Sequence, residues 1–453
     1  MLRPSLAEPE DGASFAFVRA AFGAVIAYHA LHYLTTGRIE RLYLEPPLHF
    51  RYLFFEWVAP LPGIGVHLAH VAMGLAGIAL ALGLRARLSA AIVCVLWSYA
   101  FLLEQARYLN HAYLIGLLAF VFALVPTRGG SVPRWGLRLL QLQLAIPYFY
   151  GGLAKLEPDW LAARPAQLWL AERGELFLVG WMHDSWWGPY LLAWSGLAFD
   201  LLVVPLLCWQ RTRAAAFSFA LFFHLANAQL FDIGVFPWLM IAATTIFFAP
   251  SWPRRFLPRA FASFRPELAP APPGALLRGL VLLHIAVQLV LPFRHLLYPG
   301  RTAWTEQAHS FAWRMMLRSK EGEALFRVYD PARGTVELVD PATVLPEWQV
   351  RKMACRPDLL HQFALWLAAQ RGPGIQVRVD SLCSLNGRPA QPLVSPDLDL
   401  AAEPRRLGPS PWILPLTPDV RLADTLQPAD PAPRPMARRP APRHRPRPRA
   451  RGV

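Results

Sequence analysis

Long apolar runs separated by short polar loops fill the first two-thirds of the chain. A helix needs about 20 apolar residues to cross a bilayer, and about nine runs approach that length. The predicted spans are residues 14–34, 64–84, 88–105, 111–126, 137–156, 188–209, 213–230, 236–250 and 276–293. Residues 46–63 combine aromatic residues with prolines, which is typical of an interfacial or re-entrant segment. The pattern therefore predicts an all-α polytopic membrane domain over residues 14–295, preceded by a polar leader at 1–13.

The pattern changes after residue 300, where apolar runs become short and alternate with polar residues. Alternation of this kind is typical of β-strands. The predicted strands are residues 324–329, 335–339 and 375–382. Residues 357–370 place their leucines and Phe363 on one face, as an amphipathic helix does. We therefore expect a small extracytoplasmic α+β domain over 296–416, followed at 417–453 by a Pro/Arg-rich tail with too few apolar residues to fold.

The composition and charge of the chain favour an integral membrane protein. Hydrophobic residues make up 55% and charged residues 17%, whereas soluble domains carry about 25% charged residues. The net charge of +15 lies largely in short loops and in the tail. This location of the basic residues fits a membrane protein better than a nucleic-acid-binding protein. With a cytoplasmic N-terminus, the inside loops hold eleven arginines and the outside loops hold most of the acidic residues. That bias marks the cytoplasmic side, and an odd number of spans then places residues 294–453 outside.

Lysine is rare in this chain. Of the 45 lysines and arginines, only Lys155, Lys320 and Lys352 are lysines. Lys155 lies at the end of an apolar run, within the stretch 148–160. Arginine stays charged in proteins, whereas a desolvated lysine can release its proton. A lysine kept at this place indicates proton chemistry, and the alternative is a helix-end lysine whose charge reaches the membrane interface.

Polar side chains interrupt the apolar runs mostly near one predicted membrane face. Ionisable residues at membrane depth are costly and commonly functional. The residues concerned are Glu104, Asn110, His111, Lys155, His224, Asn227, Gln229, Asp232 and His295, with His284 and Gln288 deeper in the last span. Any one of them could instead be a core histidine or a hydrogen-bonding contact between helices. Such contacts have no reason to concentrate at one depth, so we expect Asn110, His111, Lys155 and the 224–232 group to form one site.

Other kinds of site have little support in the sequence. The histidines lack the close helical pairing of zinc sites, and there is no nucleophile elbow, Walker loop or dinucleotide fingerprint. Cys94 and Cys208 lie inside apolar runs. Cys355 and Cys383 fall in the predicted soluble domain and can pair if that domain is extracytoplasmic, although the spacing alone does not show it.

Four stretches of the chain carry a family resemblance. They are Leu-Asn-His-Ala-Tyr-Leu at 109–114, Tyr-Phe-Tyr-Gly-Gly-Leu-Ala-Lys-Leu-Glu-Pro-Asp-Trp at 148–160, Phe-His-Leu-Ala-Asn-Ala-Gln-Leu-Phe-Asp-Ile-Gly-Val-Phe-Pro at 223–237, and Leu-Pro-Phe-Arg-His at 291–295 with residues 304–305 and 311–320. A later Ser-Leu-Asn-Gly-Arg-Pro at 384–389 also fits. The sequence resembles the vitamin K-dependent γ-carboxylase family, in its shorter bacterial form built on the horizontally transferred transmembrane (HTTM) domain. The resemblance covers nearly all of residues 14–416.

This resemblance implies an enzyme of the bacterial inner membrane that uses a reduced vitamin K or menaquinone-type hydroquinone with O2 and CO2, and no metal. In the family, a lysine deprotonates the hydroquinone, reaction with O2 gives a strongly basic species that ends as the epoxide, and CO2 adds to a deprotonated substrate carbon. The matching base is Lys155. His111 and Asn110 match the pair that steers the basic species and its proton. Apolar residues at 144–153 would help the lysine to lose its proton by desolvation.

The resemblance also implies binding roles for a further set of residues. Those expected to contact substrate or cofactor are His224, Asn227, Gln229, Trp304, His309, Trp313, Arg318 and Lys320. The chain departs from the family in two places. The family's Trp-Asp-Met-Met is Trp-Arg-Met-Met at 313–316, and one lysine stands where the animal form has two in a row. The quinone half of the reaction is therefore better supported than the carboxylation half.

The sequence thus predicts O2-dependent epoxidation of a reduced naphthoquinone with Lys155 as base. Coupling to carbanion formation and CO2 addition on an unidentified substrate is left open. The expected partners are membrane lipid, a hydrophobic quinone and a peptide or small-molecule substrate, without nucleic acid. The alternative is a membrane protein that only binds quinone or lipid, or that scaffolds a partner.

Overall fold

The computed structural model describes residues 6–128, 130–172, 180–182, 184–231, 233–257 and 273–417. Residues 1–416 form one compact unit. The predicted basic tail lies outside the described residues except for Thr417, as do the first five residues of the predicted leader. The predicted domain boundary between residues 295 and 296 stays a prediction.

Helices fill the described part of the chain up to residue 290. They are α1 (Ala13–Thr35), α2 (Gly65–Leu82), α3 (Ala86–Leu102), α4 (Asn110–Leu124), α5 (Arg134–Ala154), α6 (Pro158–Leu161), α7 (Arg164–Glu172), α8 (Gly188–Cys208), α9 (Arg213–Leu230), α10 (Phe236–Thr244), α11 (Pro253–Phe256) and α12 (Ala275–Val290). Each of the nine predicted apolar segments contains one of them. Short helical turns follow α1, α3, α10 and α12 at Glu40–Leu44, Gln105–Arg107, Thr245–Phe247 and Leu291–Leu297.

Four of the described helices are long and apolar enough to cross a membrane. They are Ala13–Thr35, Gly65–Leu82, Gly188–Cys208 and Ala275–Leu297. Three further apolar helices are shorter, namely Ala86–Leu102, Asn110–Leu124 and Phe236–Phe247. The prediction of about nine spans is therefore not confirmed. The helices α5 and α9 have the length of a span, but polar residues such as Gln143, His224 and Asn227 reduce their hydropathy.

Close contacts between small residues hold the first two helices together. A Cβ atom on Gly23 of α1 would lie 2.5 Å from the carbonyl oxygen of Gly77 on α2. Glycines at such a crossing let the two backbones approach, which is a common way for apolar helices to pack. Phe22 of α1 also contacts Phe122 of α4, with ring centroids 5.3 Å apart. These contacts place α1, α2 and α4 around one apolar core.

A small sheet joins the start of the chain to the beginning of α5. Strand β1 (Pro9–Asp11) pairs antiparallel with β2 (Ser131–Pro133). Arg134, the first residue of α5, forms ion pairs with Glu8 and Glu10. The predicted polar leader therefore contributes a strand and ion pairs at the end of the bundle opposite to Lys155.

A four-stranded antiparallel sheet follows the helical part. Its strands are β3 (Lys320–Asp330), β4 (Thr335–Val339), β5 (Gln376–Leu385) and β6 (Gln391–Pro392), in the order β4-β3-β5-β6. The accompanying helices are α13 (Thr302–Thr305), α14 (Glu347–Met353) and α15 (Pro357–Arg371). Phe363 of α15 packs on Phe326 of β3, with ring centroids 4.9 Å apart. The prediction of a small sheet domain near the C-terminus is confirmed.

The sheet domain packs on the end of the helical bundle that holds Lys155. Gln349 Nε2 donates a hydrogen bond to Glu104 Oε2 at 3.0 Å, just after α3. A turn after β5 contributes Arg388, whose guanidinium donates to both carboxylate oxygens of Asp159. Cys355 and Cys383 form a disulfide inside the sheet domain. The two parts are therefore held together beside the candidate site.

Candidate functional site

A cavity of about 180 Å³ lies where the ends of α4, α5, α9 and α10 meet alongside α8. Five residues named from the sequence line it, namely Asn110, His111, Lys155, His224 and Asn227. The rest of its wall is largely aromatic or sulfur-containing, with Trp160, Trp169, Phe223, Phe231, Phe236, Met240, Met315 and Met316. We call it the lysine cavity. These five polar residues come from α4, from the end of α5 and from α9, which are far apart in the sequence.

The side chain of Lys155 is buried against α8. Its Nζ donates a hydrogen bond to Asp200 Oδ2 at 2.5 Å and lies 3.4 Å from the Gly151 carbonyl oxygen. The Lys155 and Asp200 side chains are only 7% and 5% exposed. Asp200 also lines the cavity, and the sequence analysis missed it. A single carboxylate inside the apolar run 188–209 was the available signal, because such residues are costly in a span.

Two glycines allow this ion pair to form. A Cβ atom on Gly151 would lie 3.1 Å from Asp200 Oδ2, and one on Gly152 would lie 2.7 Å from Leu201 Cδ2 and 3.1 Å from Leu201 N. Without side chains at these positions, α5 can lie directly against α8. The Gly-Gly pair before Lys155 therefore sets the distance between the amine and the carboxylate.

Asn110 and His111 begin α4 and reach the cavity from the other side. Asn110 Oδ1 accepts a hydrogen bond from Tyr108 Oη at 2.9 Å, and its Nδ2 donates to the Arg314 carbonyl at 3.2 Å. Asn110 is thus fixed at both ends of its amide. The His111 ring stacks on Phe236, with centroids 5.2 Å apart. The stacking fixes the plane of the imidazole, and His111 lines the cavity.

His224 is held by a buried hydroxyl. The hydroxyl of Tyr148 lies 2.8 Å from His224 Nε2 and 3.2 Å from Thr244 Oγ1. All three side chains are buried. Asn227 lies one turn along α9 on the same face, whereas Gln229 lies on another face and does not line the cavity. Five of the predicted site residues therefore meet, and Gln229 does not join them.

Irregular backbone over residues 306–316 closes one side of the cavity. Five non-glycine residues there have positive φ values, namely Glu306, Ala308, Phe311, Trp313 and Met316. Such values are uncommon for residues with side chains and are kept only where surrounding contacts enforce them. One such contact joins Phe311 N to Tyr108 Oη at 2.6 Å. The segment places Met315 and Met316 against the cavity, and Trp313 packs on Tyr113.

The remaining predicted contact residues form a separate cluster. Lys320 Nζ donates to the carbonyl oxygens of Trp304 and Cys355 at 2.7 and 2.9 Å, and to Glu306 Oε1 at 3.2 Å. Arg318 Nε donates to Glu306 Oε1 at 2.6 Å, and its Nη1 lies 3.1 Å from His309 Nε2. None of these residues lines the lysine cavity. We call this group the Glu306 cluster.

Burial and the positive charges in the Glu306 cluster control the protonation of Glu306 and His309. Burial acts to raise the pKa of Glu306, but the positive charges of Arg318 and Lys320 outweigh it and hold that pKa well below its usual range. Burial and the positive charge of Arg318 lower the pKa of His309. Glu306 is therefore an anion at neutral pH that satisfies two cations, and His309 is neutral.

Other polar residues named from the sequence lie elsewhere. His284 Nε2 is 2.8 Å from Gln143 Oε1, and Gln288 Nε2 donates to Tyr113 Oη at 2.8 Å, so both attach α12 to the bundle. His295 Nδ1 contacts the Pro292 carbonyl oxygen. Asp232 lies outside the described residues. Within the described residues, no group of three or more His, Cys, Asp or Glu could hold a metal ion.

Comparison with known families agrees with this architecture. Residues 7–252, more than half of the chain, match the HTTM domain. The chain belongs to the HTTM-domain family. Residues 274–419 match the lumenal domain of vitamin K-dependent gamma-carboxylase, so the predicted family resemblance is confirmed and the protein is γ-carboxylase-like. No solved structure matches the chain. Its helices and its family together make it an integral membrane protein.

Proposed function

We propose that this HTTM-domain protein oxygenates a reduced naphthoquinone to its epoxide in the lysine cavity, with Lys155 and Asp200 together accepting the proton. One observation carries the proposal. The only carboxylate within hydrogen-bonding distance of Lys155 in the described residues is Asp200, and both groups line a cavity that also contains Asn110 and His111. Proton-accepting and hydrogen-bonding groups thus face one apolar chamber.

The cavity residues fit the head group of a hydroquinone. Aromatic and methionine side chains such as Trp160, Phe236 and Met315 offer flat, polarisable surfaces for a bicyclic ring. His224 and Asn227 offer hydrogen-bonding groups for ring oxygens. Pockets for drug-sized ligands measure about 300–1,000 Å³. The lysine cavity, at about 180 Å³, suits a head group whose apolar tail lies outside in the bilayer.

The lysine must lose a proton before it can accept one. The hydrogen bond of 2.5 Å from Nζ to Asp200 Oδ2 supplies a route, because the carboxylate can take that proton and leave a neutral amine. The amine then removes the proton from a hydroxyl in the cavity, which gives an ammonium beside a protonated Asp200. The bound hydroquinone would supply the reactivity toward O2. The resulting positive charge lies next to the new oxyanion and stabilises it.

Asn110 and His111 would position the reacting oxygen atoms. Asn110 is fixed by Tyr108 and Arg314, so its amide presents one orientation to the cavity. His111 stacks on Phe236 and lines the same space. Preorganised groups of this kind stabilise developing charge without reorganising. Proton removal from a substrate carbon and addition of CO2 would follow in the same place, supported by the lumenal-domain match.

We also propose that the protein lies in the bacterial inner membrane and that its sheet domain is on the extracytoplasmic side. The arginine-rich short loops support a cytoplasmic N-terminus. The disulfide between Cys355 and Cys383 supports an oxidising compartment, because disulfides persist there and are rare in the cytosol. The paired state of Arg318 and Lys320 favours a structural role for the Glu306 cluster over direct substrate contact.

The test is formation of quinone epoxide by purified protein. Wild type in detergent or nanodiscs is supplied with reduced vitamin K or menaquinone and O2, and epoxide is measured by chromatography. We expect epoxide from the wild type and a loss of about 10²–10⁴-fold in Lys155→Ala, the usual contribution of a positioned base. No epoxide from the wild type, or equal epoxide from the variant, would overturn the assignment and leave a quinone- or lipid-binding protein.

A further inference from the structure

A second and larger cavity lies on the other side of His111. It has a volume of about 730 Å³ and is lined by residues of α1, α3, α4 and the start of α10. Leu109, His111 and Ile233 line both cavities and form the wall between them. The proposed oxygenation does not use this space.

Two arginines face this second cavity, and neither donates a hydrogen bond to a carboxylate in the described residues. Arg107 donates to the hydroxyls of Tyr43 and Tyr33 at 3.0 and 2.5 Å, and its guanidinium lies 5.5 and 5.6 Å from their ring centroids. Arg38 lies 5.8 Å from the Tyr33 ring centroid. Each arginine therefore keeps N–H donors available for an anion. We call this space the arginine cavity.

Glu104 is the one acidic residue among those that line the arginine cavity, and its carboxylate is already engaged. Its Oε1 accepts from Ala106 N at 2.9 Å, and its Oε2 accepts from Gln349 Nε2 at 3.0 Å. One of its oxygens is therefore held by its own turn and the other by the sheet domain. Two arginines against one carboxylate leave the cavity with a net positive charge.

Much of the rest of the arginine cavity is apolar, although His29 and His32 of α1 also line it. Val25, Trp97 and Ile115 line it from three helices. Tyr28 of α1 and Trp238 of α10 also line it and are 56% and 58% exposed. A flank bounded by exposed aromatic residues on two helices is where a bilayer component would enter.

We propose that the arginine cavity binds an amphiphile, with an oxyanion head held by Arg38 and Arg107 and an apolar body lying along Val25 and Ile115. An inorganic anion would leave the apolar half of the cavity unfilled. A neutral quinone would leave the desolvated guanidinium of Arg107 without a counter-charge inside the cavity, which is costly. Guanidinium groups suit carboxylate and phosphate oxygens because their donors match the geometry of both. The proposal holds whether or not the lysine cavity performs oxygenation.

The test measures binding of single-chain probes to the full-length protein in a neutral maltoside detergent. The probes are dodecyl phosphate, dodecanoate, butyl phosphate and inorganic phosphate, with affinities taken from calorimetry or native mass spectrometry. We expect dodecyl phosphate to bind at least tenfold more tightly than butyl or inorganic phosphate, since each buried methylene adds to the affinity. Dodecanoate distinguishes a carboxylate head from a phosphate head, and binding of either supports the proposal.

Variants locate the site. Arg107→Gln and Arg38→Gln should each weaken dodecyl phosphate binding at least tenfold. Arg38→Gln is included because Arg107 fixes two tyrosines, so that Arg107→Gln can disturb folding. Arg41→Gln is the matched control, since Arg41 donates to the Gly37 and Thr36 carbonyls and does not line the cavity. Equal affinities of Arg38→Gln and Arg41→Gln for dodecyl phosphate would overturn the proposal. Equal affinities of the wild type for dodecyl and inorganic phosphate would overturn it as well.

Discussion

Two of the three lysines are buried beside a carboxylate, yet their surroundings differ. Lys320 has three acceptors, from Trp304, Cys355 and Glu306, and Glu306 is shared with Arg318. Lys155 has one close acceptor, Asp200, and faces a cavity. Lys320 lines neither the lysine cavity nor the arginine cavity.

This difference shows that burial and ion pairing alone do not mark a chemical lysine. Burial lowers the pKa of Lys320 to about 8, yet its ammonium is held by three acceptors and lines neither the lysine cavity nor the arginine cavity. An amine with one short hydrogen bond and an open side can exchange a proton with its partner and with a ligand. On this view the Glu306 cluster stabilises the sheet domain, and the Lys155–Asp200 pair performs chemistry.

The largest expected effect concerns stability at the Glu306 cluster. Lys320→Met leaves two carbonyl oxygens without a donor and removes one cation from a buried anion. Breaking a buried pair of this kind typically costs about 3–5 kcal/mol. We expect a lower unfolding midpoint in thermal denaturation, with epoxide turnover per folded molecule unchanged. A Lys320→Met protein that folds normally but turns over slowly would give Lys320 a chemical role and contradict the comparison.

A smaller effect is expected when the carboxylate of the other pair is removed. Asp200→Asn cannot take the proton that Lys155 must release, so turnover should fall about 10²-fold, the low end for a general base. The variant should regain activity at higher pH, because Lys155 must then lose its proton to solvent. The pH–rate profile of purified protein checks this. A flat profile with wild-type rate would show that Asp200 only holds the helices together.

The smallest expected effect is acid sensitivity of the sheet domain. Since Arg318 and Lys320 hold the pKa of Glu306 below its unfolded value of about 4.3, the stabilisation is complete above that pH and declines as pH falls below it. We expect a loss of at least about 1 kcal/mol by pH 3. Glu306→Gln should remove that part of the pH dependence. Equal pH dependence of both proteins would mean that other carboxyl groups control acid unfolding.

Much of the fold follows from pattern in the sequence. Period-two alternation located β3, β4 and β5, and the apolar runs located helices, because both depend on which face of an element is buried. The number of spans did not follow in the same way. In α5 and α9, polar residues such as Gln143 and His224 face other helices, which a hydropathy profile along the chain cannot distinguish from exposure.

The candidate site was partly accessible from sequence. Asn110, His111 and Lys155 were recognisable as polar residues at one depth, and the structure brings them around one cavity. Asp200 carried a signal, as a carboxylate inside an apolar run, but its pairing with Lys155 could not be predicted because the two residues are 45 positions apart. Arg318 and Lys320 were grouped with the site through a motif, but irregular backbone between 306 and 316 separates their side chains from the cavity.

The central claim is that Lys155 must exchange a proton, and Lys155→Arg tests it most directly. Arginine keeps the positive charge beside Asp200 but does not lose its proton in proteins. The measurement is epoxide formed per folded molecule by Lys155→Arg and wild type, with thermal unfolding as the control for the fold. The account predicts no turnover above background in a folded variant. Turnover equal to wild type would contradict it, because the charge of residue 155 would then suffice.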